Sequence, residues 1–199
     1  MASLDGEYPY ARDFASVLES AQAGEGWATA TLWLEYSPGV AAFLGARGSR
    51  EPEDVTSDVF IAVFDQLPKF RGDEKQFRSF VYSIAYRRLV DELRRRSRRG
   101  EGAEYSAQTD TRSVPSAEDQ AVDREAETSA MALLNSLPED QRDVMILRIV
   151  GDLTIEQIAH VLGKRVGATK ALQRRALENL RKKVDERRTP LNPSSDSGK

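Results

Sequence analysis

The chain has 199 residues, 40% of them hydrophobic and 31% charged, with one histidine, no cysteine and a formal net charge of −3. This length allows one large domain or two small ones, and the absence of cysteine excludes disulfides and cysteine-ligated zinc. Because no apolar run approaches the ~18 residues of a membrane span and the N-terminus is unlike a signal peptide, we expect a soluble, cytoplasmic protein without direct membrane insertion.

The first 47 residues favour helices. Residues 1–29 begin as a mixed, acidic segment whose role the sequence does not indicate. Apolar residues at helical spacing between residues 12 and 47 predict two helices, and Pro38-Gly39 predicts a kink or a break in the second one.

Residues 53–66 predict an amphipathic helix with one acidic face. The residues expected to face inward are Val55, Val59, Phe60, Val63 and Phe64. The residues expected to face outward are Asp54, Ser57, Asp58 and Asp65. A face of this kind is usually only solvated, so by itself it does not indicate a partner.

A polar loop at residues 69–75 precedes a long helix predicted over residues 76–96. Loop and helix combine basic with aromatic side chains, a mixture that suits single-stranded nucleic acid because cations bind its backbone and rings stack on unpaired bases. Phe77 and Phe80 are expected to lie in the core. Residues 81–100 carry seven arginines and two acids, a local net charge of +5.

A change of composition follows this helix. Residues 100–115 lack an apolar period and predict a flexible linker, and residues 101–130 have a net charge of −6. A helix is expected to resume near Ser116 and to carry on one face Val122, Ala126, Ala130, Leu133 and Leu137. Residues 189–199 predict a disordered tail.

A helix-turn-helix is predicted at about residues 154–173. Thr154 and Gln157 have the form of a capping box, and Gly163 suits the turn that ends the first helix. The apolar stripe of the two helices consists of Ile158, Ala159, Leu162, Val166, Thr169, Leu172, Ala176 and Leu180. Residues 164–188 have a net charge of +7, and this clustering predicts that the second helix binds the major groove of DNA.

These segments, in this order and spacing, resemble the bacterial RNA polymerase sigma factors of the sigma-70 family, extracytoplasmic-function (ECF) subfamily. The family's polymerase-binding helix is similar to EDVTSDVFIAVFDQLPKF. The helix that opens the −10 promoter element is similar to FRSFVYSIAYRRLVDELRRRSRR. The −35 recognition domain is similar to LLNSLPEDQRDVMILRIVGDLTIEQIAHVLGKRVGATKALQRRALENL.

The resemblance implies an all-α fold of two helical domains joined by a flexible acidic linker. The expected segments are residues 1–29 (N-terminal acidic segment), 30–99 (sigma region 2), 100–115 (linker), 116–188 (sigma region 4) and 189–199 (tail). It also implies a protein that binds core RNA polymerase and promoter DNA, directs promoter-specific initiation and is restrained by an anti-sigma factor. No cofactor or metal is expected.

The resemblance also implies three sets of site residues. The surface expected to bind the clamp of the largest polymerase subunit comprises Asp54, Ser57, Asp58, Phe60, Asp65 and Gln66. The −10 surface, whose loop at residues 71–76 is expected to capture a flipped base, comprises Lys69, Arg71, Gln76, Arg78, Tyr82, Tyr86, Arg87, Arg88, Arg94 and Arg95. The −35 surface comprises Arg165, Lys170, Ala171, Arg174 and Arg175.

The chain departs from the family pattern at several positions. Thr169 stands where an apolar residue is common, Leu172 and Gln173 replace the usual arginine and apolar residue, Phe80 replaces tryptophan, and Arg87 replaces asparagine. The preferred promoter bases therefore cannot be carried over from the family.

Two other classes of function compete with this hypothesis. A two-domain helix-turn-helix regulator that acts without replacing sigma would need a sensory or receiver domain, and residues 1–99 show no strand alternation. An enzyme would need a nucleophile–base pair, a carboxylate pair, a metal cluster or a phosphate loop. The chain has no cysteine, and its one histidine, His160, is expected to face solvent. We therefore expect no enzymatic activity.

Overall fold

A computed structural model describes residues 13–99 and 130–188, with side chains to residue 186. Within these ranges every regular element is helical, and the chain divides into two compact units. This confirms the predicted all-α fold of two helical domains. The linker, the helix start near Ser116 with Val122 and Ala126, the first 12 residues and the tail lie outside the described residues.

The first unit contains four α-helices and one short 3-10 turn. In chain order these are α1 (Phe14–Gln22), α2 (Gly26–Ala46), α3 (Pro52–Gln66), the 3-10 turn (Leu67–Lys69) and α4 (Glu74–Arg98). The long helices α2, α3 and α4 pack against one another, and α1 packs on α2 and on the 3-10 turn.

Local signals explain where these helices begin. The Asp13 side chain accepts a hydrogen bond from the Ser16 backbone N–H at 2.8 Å, which caps α1 and lowers the pKa of that carboxyl. Pro52 occupies the first turn of α3, where its missing N–H costs nothing. Asp73 and Gln76 form a reciprocal capping box, so α4 begins at Glu74, two residues earlier than predicted.

Of the kink or break predicted at Pro38-Gly39, the break does not occur, because α2 continues through both residues to Ala46. A proline removes the hydrogen bond to the carbonyl four residues earlier, here that of Leu34. Both Pro38 and Leu34 lie on the exposed side of α2, and Leu34 is 70% exposed. Water can therefore donate a hydrogen bond to the Leu34 carbonyl. Packing of the buried face stabilises the helix on both sides of Pro38.

An aromatic cluster centred on Phe77 forms one end of the first core. The Phe77 ring is fully buried and lies within 5.3–6.1 Å of four other rings, measured between centroids. Those rings belong to Phe14, Tyr36, Phe70 and Phe80. Phe77 thus joins α1, α2 and the turn before α4, as the sequence predicted for a core residue.

The C-terminal part of α4 holds the connection between α2 and α3. Glu92 accepts hydrogen bonds from the Ser49 hydroxyl at 2.7 Å and the Arg50 backbone N–H at 3.1 Å. Arg96 donates to the Gly48 carbonyl at 2.7 Å. Arg96, although it lies inside the arginine run, therefore has a structural contact and does not project like its neighbours.

The second unit contains a helix at residues 130–135 (α5), α6 (Glu139–Ile149), the greater part of α7 (Ile155–Leu162) and α8 (Val166–Arg188). Its core is built mainly by α6 and the first half of α8, which pack together. The buried residues include Val144, Ile146, Leu147, Leu153, Ile158, Leu172 and Ala176. A polar contact also joins the two helices, since the Asn179 amide donates to the Gln141 side-chain oxygen at 2.9 Å.

None of the helices in the part of the chain described here is long and apolar enough to cross a membrane.

Candidate polymerase and promoter interfaces

The exposed side of α3 carries a stripe of acids. Asp54, Asp58 and Asp65 are all exposed, and their spacing of four and then seven residues keeps them on one face. Ser57 and Gln66 are exposed beside them. Three carboxylates aligned in this way form a surface that is complementary in charge to a basic one.

Phe60 was included in the predicted polymerase-binding surface, but in this structure it lies in the core and not on the exposed acidic stripe. Phe60 is only 1% exposed and packs against Trp33 at 4.9 Å and Phe64 at 5.7 Å between ring centroids. The helical period turns position 60 away from the acidic stripe and into the core.

Ile61 belongs to the acidic stripe, and the sequence analysis missed it. It lies three residues after Asp58 and four before Asp65, and it is 61% exposed. The spacing of Ile61 from Asp58 and Asp65 could have placed it on the acidic face. The same spacing keeps it out of the residues predicted to face inward. A single exposed apolar residue is common on protein surfaces, so Ile61 by itself does not identify an interface.

Close contacts and a capping hydrogen bond connect the loop before α4 to the first turn of that helix. Gly72 leaves no room for a side chain, because a Cβ there would lie 2.6 Å from the Gln76 side-chain oxygen and 3.0 Å from the Phe70 ring. The Gln76 oxygen accepts the Asp73 N–H at 2.9 Å. Gln76, predicted to contact DNA, therefore serves as a helix cap here, and Glu74 to Gln76 belong to α4 instead of the predicted capture loop.

Arg71 and Arg78, two of the four predicted −10 cations with intramolecular contacts in the described residues, contact residues of the turn before α4, α2 and the start of α4. Arg71 is exposed and folds back to donate to the carbonyls of Pro68 at 2.9 Å and Phe70 at 2.6 Å. Arg78 is half-buried, pairs with Glu74 at 3.4 Å and lies over the Tyr36 ring at 5.6 Å. Burial raises the pKa of the Tyr36 phenol, and the neutral O–H donates to Glu74.

Tyr82, predicted to contact DNA, is buried in this structure, with only 3% of its surface exposed. Its ring packs edge-on against Phe43 at 5.6 Å and joins α4 to α2. The remaining predicted side chains lie along the outer side of the first unit. Tyr86 is half-buried, and the exposed set comprises Lys69, Arg87, Arg88, Arg94 and Arg95.

The turn of the helix-turn-helix has the predicted geometry. The Thr154 N–H donates to the Gln157 side chain at 2.7 Å, and the Gln157 N–H donates to the Thr154 hydroxyl at 3.3 Å, which confirms the capping box. Gly163 has φ +63°, and the Lys164 N–H donates to the Ala159 carbonyl at 2.8 Å. This Schellman motif ends α7 and directs the chain into α8.

The first turns of α8 present the predicted −35 residues. Arg165 is exposed just before the helix, and Lys170, Arg174 and Arg175 are exposed on it. Ala171, half-buried between them, adds no bulk. Helical spacing places Lys170, Arg174 and Arg175 on one exposed side of α8. A helix that binds the major groove presents its contact residues in this way.

Two of these cations have weak intramolecular partners. Lys170 lies 3.8 Å from Glu156, and Arg174 lies 3.9 Å from Glu178. All four side chains are more than half exposed, so each pair contributes at most about 1 kcal/mol and can be exchanged for a phosphate.

The inward side of α8 explains how the chain tolerates Thr169. Thr169 is fully buried, and its hydroxyl donates to the Arg165 carbonyl at 3.2 Å. The polar group is thereby satisfied within the helix, while Leu172 and Ala176 complete the apolar face.

Comparison with known proteins gives both units a family. Residues 32–99 match the family described as Sigma-70 region 2, and residues 133–182 match Sigma-70, region 4. The ECF RNA polymerase sigma factor ShbA of Streptomyces griseus is 30% identical over 83% of this chain and 92% of that protein. The ECF RNA polymerase sigma factor SigD of Mycobacterium tuberculosis is 31% identical over 69% of this chain and 65% of that protein.

A solved structure shares the fold. The sigma factor RpoE from Bartonella quintana, in complex with the anti-sigma factor NepR, has a TM-score of 0.60 and 21% identity over 78% of this chain and 95% of that chain. Matches to both sigma regions, in the expected order, favour a sigma factor over the two-domain regulator. The chain belongs to the ECF subfamily of RNA polymerase sigma factors, which bind core polymerase and direct it to promoters.

Proposed function

We propose that this chain directs promoter-specific initiation through three surfaces, each of which binds a different partner. The acidic stripe of α3, with Ile61 at its centre, binds the clamp of the largest subunit of core polymerase. The loop at residues 70–73 and the outer side of α4 hold the melted −10 strand. The exposed cations at the start of α8 contact the −35 duplex.

The observation that carries this proposal is the separation of charge by surface. The described α3 stripe exposes carboxylates, whereas α4 and α8 expose arginines on two different units. Contacts with DNA phosphates need exposed cations, and binding to a basic protein surface needs exposed carboxylates. We assign residues 30–99 to sigma region 2 and residues 116–188 to sigma region 4.

The same proposal covers partners and chemistry. The chain has no catalytic role of its own, because RNA synthesis belongs to the polymerase that it joins. An anti-sigma factor restrains it in the cytoplasm, and the likeness of its fold to a sigma factor solved with NepR supports this. A membrane-bound inhibitor would hold the chain at the membrane without insertion.

Replacing Arg175 by alanine should relax one position of the −35 sequence and weaken duplex binding by about 1–3 kcal/mol, because an arginine can bind a guanine edge with two hydrogen bonds. Replacing Arg174 should have an effect of similar size. The measurement is selection of bound duplexes from a randomised −35 library by holoenzyme containing each variant.

The matched control is Arg181→Ala, which removes the same charge from an exposed position two turns after Arg174. It should weaken all duplexes about equally and leave the selected sequence unchanged. If Arg175→Ala and Arg174→Ala behaved like this control, α8 would contact only phosphates at these positions.

A further inference from the structure

Gln22, the last residue of α1, reaches the turn that leads into the loop before α4. Its side-chain amide donates to the Leu67 carbonyl at 2.9 Å and to the Phe70 carbonyl at 2.8 Å. One NH₂ group therefore connects both ends of the 3-10 turn, across more than forty residues of sequence. This contact comes from outside residues 32–99, the part that matches sigma region 2.

A second contact joins α1 to the same region. The Phe14 ring, at the opposite end of α1, packs on the Phe77 ring in the first turns of α4 at 5.4 Å. Phe77 also contacts Phe70, at 5.4 Å. The helix α1 thus contacts the turn through Gln22 at one end and the start of α4 through Phe14 at the other.

Arg71 shares the acceptors of this turn. It donates to the carbonyls of Pro68 and Phe70, so the Phe70 oxygen receives hydrogen bonds from both Arg71 and Gln22. Arg71 is exposed, whereas Gln22 is part-buried. A nucleic-acid phosphate can therefore draw Arg71 away, and the Phe70 carbonyl then still keeps its hydrogen bond to Gln22.

We propose that Gln22 is a positioning residue for single-stranded promoter DNA: it fixes the turn at residues 67–70 so that the loop stays in place when Arg71 turns outward. This role rests on the proposed function of the loop in −10 binding. Preorganisation of this kind increases affinity because the loop does not have to be ordered when the strand binds.

The test uses holoenzyme and a fluorescent single-stranded oligonucleotide carrying the −10 strand of a promoter mapped by its transcript 5′ end. Gln22→Glu keeps the size of the side chain but places an oxygen against two carbonyl oxygens. Gln22→Met removes the donors without adding charge. We expect about tenfold weaker strand binding for Gln22→Glu and a smaller loss for Gln22→Met, in line with the loss of one or two hydrogen bonds.

Two readouts separate positioning from a general effect on folding. Affinity for core polymerase and for −35 duplex should not change, and Glu19→Gln, on an exposed residue of the same helix, should leave all three affinities unchanged. Arg71→Ala combined with Gln22→Met should cost less than the sum of the single changes, because the Phe70 carbonyl then lacks both donors before and after the strand binds, whereas in Gln22→Met alone it loses its last donor on binding.

The outcomes are distinct. Unchanged strand binding by Gln22→Glu would overturn the positioning role while leaving the function of the loop intact. An equal fall in all three affinities together with a lower melting temperature would overturn it as well, in favour of a purely structural contact. If wild-type holoenzyme did not bind the strand, the proposed −10 function would fail, and the positioning role with it.

Discussion

Core RNA polymerase should bind the chain much more weakly when Asp54 and Asp58 are both replaced by lysine. The change turns two exposed carboxylates of the α3 stripe into cations facing a surface that is proposed to be basic. Like charges brought together at an interface cost several kcal/mol, so we expect a loss of about 3 kcal/mol or more, at least roughly 100-fold in Kd. The measurement is a titration of fluorescently labelled variant with core enzyme.

The controls separate charge at the stripe from charge in general. Glu19→Lys with Glu35→Lys makes the same change of charge on exposed positions of α1 and α2 and should bind core enzyme normally. Asp54→Asn with Asp58→Asn should give an intermediate loss. Because Asp54 lies in the first turn of α3, its replacement by lysine also weakens that helix by about 0.3–1 kcal/mol, so unfolding must be measured in parallel. Normal core binding by the lysine variant would contradict the role of the stripe.

Phe77→Ala should destabilise the first unit by about 3–5 kcal/mol, the usual cost of removing a fully buried phenylalanine. The ring contacts four other aromatic rings from α1, α2, α4 and the turn before α4, so the cavity cannot close by a small local shift. Since stabilities of whole domains are only about 5–15 kcal/mol, this one change removes a large part of the total.

Urea unfolding followed by tryptophan fluorescence measures this loss selectively. The chain has two tryptophans, Trp27 and Trp33, and both lie on α2 of the first unit. The control is Leu34→Ala on the same helix, which is 70% exposed and should change stability by less than about 0.5 kcal/mol. An equal midpoint for Phe77→Ala and wild type would show that the aromatic cluster does not stabilise this unit.

Local signals in the sequence were sufficient to predict the helices and the helix-turn-helix. The capping box at Thr154 and Gln157 and the left-handed glycine at 163 need only neighbouring residues, and both have the predicted geometry. Periodicity likewise placed the acids of α3 on its exposed side. These features depend on interactions between residues within about four positions of each other, and the spacing of residue types along the sequence predicts such interactions well.

Side-chain environments that depend on distant segments were predicted less well. Phe60 and Tyr82 were assigned to binding surfaces by resemblance, but contacts with α2 bury both. The hydrogen bonds from Gln22 to the turn and from Arg96 to Gly48 each join residues more than forty positions apart. No local pattern encodes such contacts. The continuity of α2 at Pro38 also depends on distant segments. Tertiary packing of α2 outweighs the one hydrogen bond that proline removes.

The most direct measurement is transcription of a genomic DNA library by core polymerase with and without this chain, followed by mapping of transcript 5′ ends. The chain should create a set of shared start sites preceded by two recurring sequence elements at a fixed spacing. Holoenzyme made with the double substitution Arg174→Ala and Arg175→Ala should lose dependence on the upstream element. Start sites identical to those of core enzyme alone would contradict the assignment of these surfaces to promoter recognition.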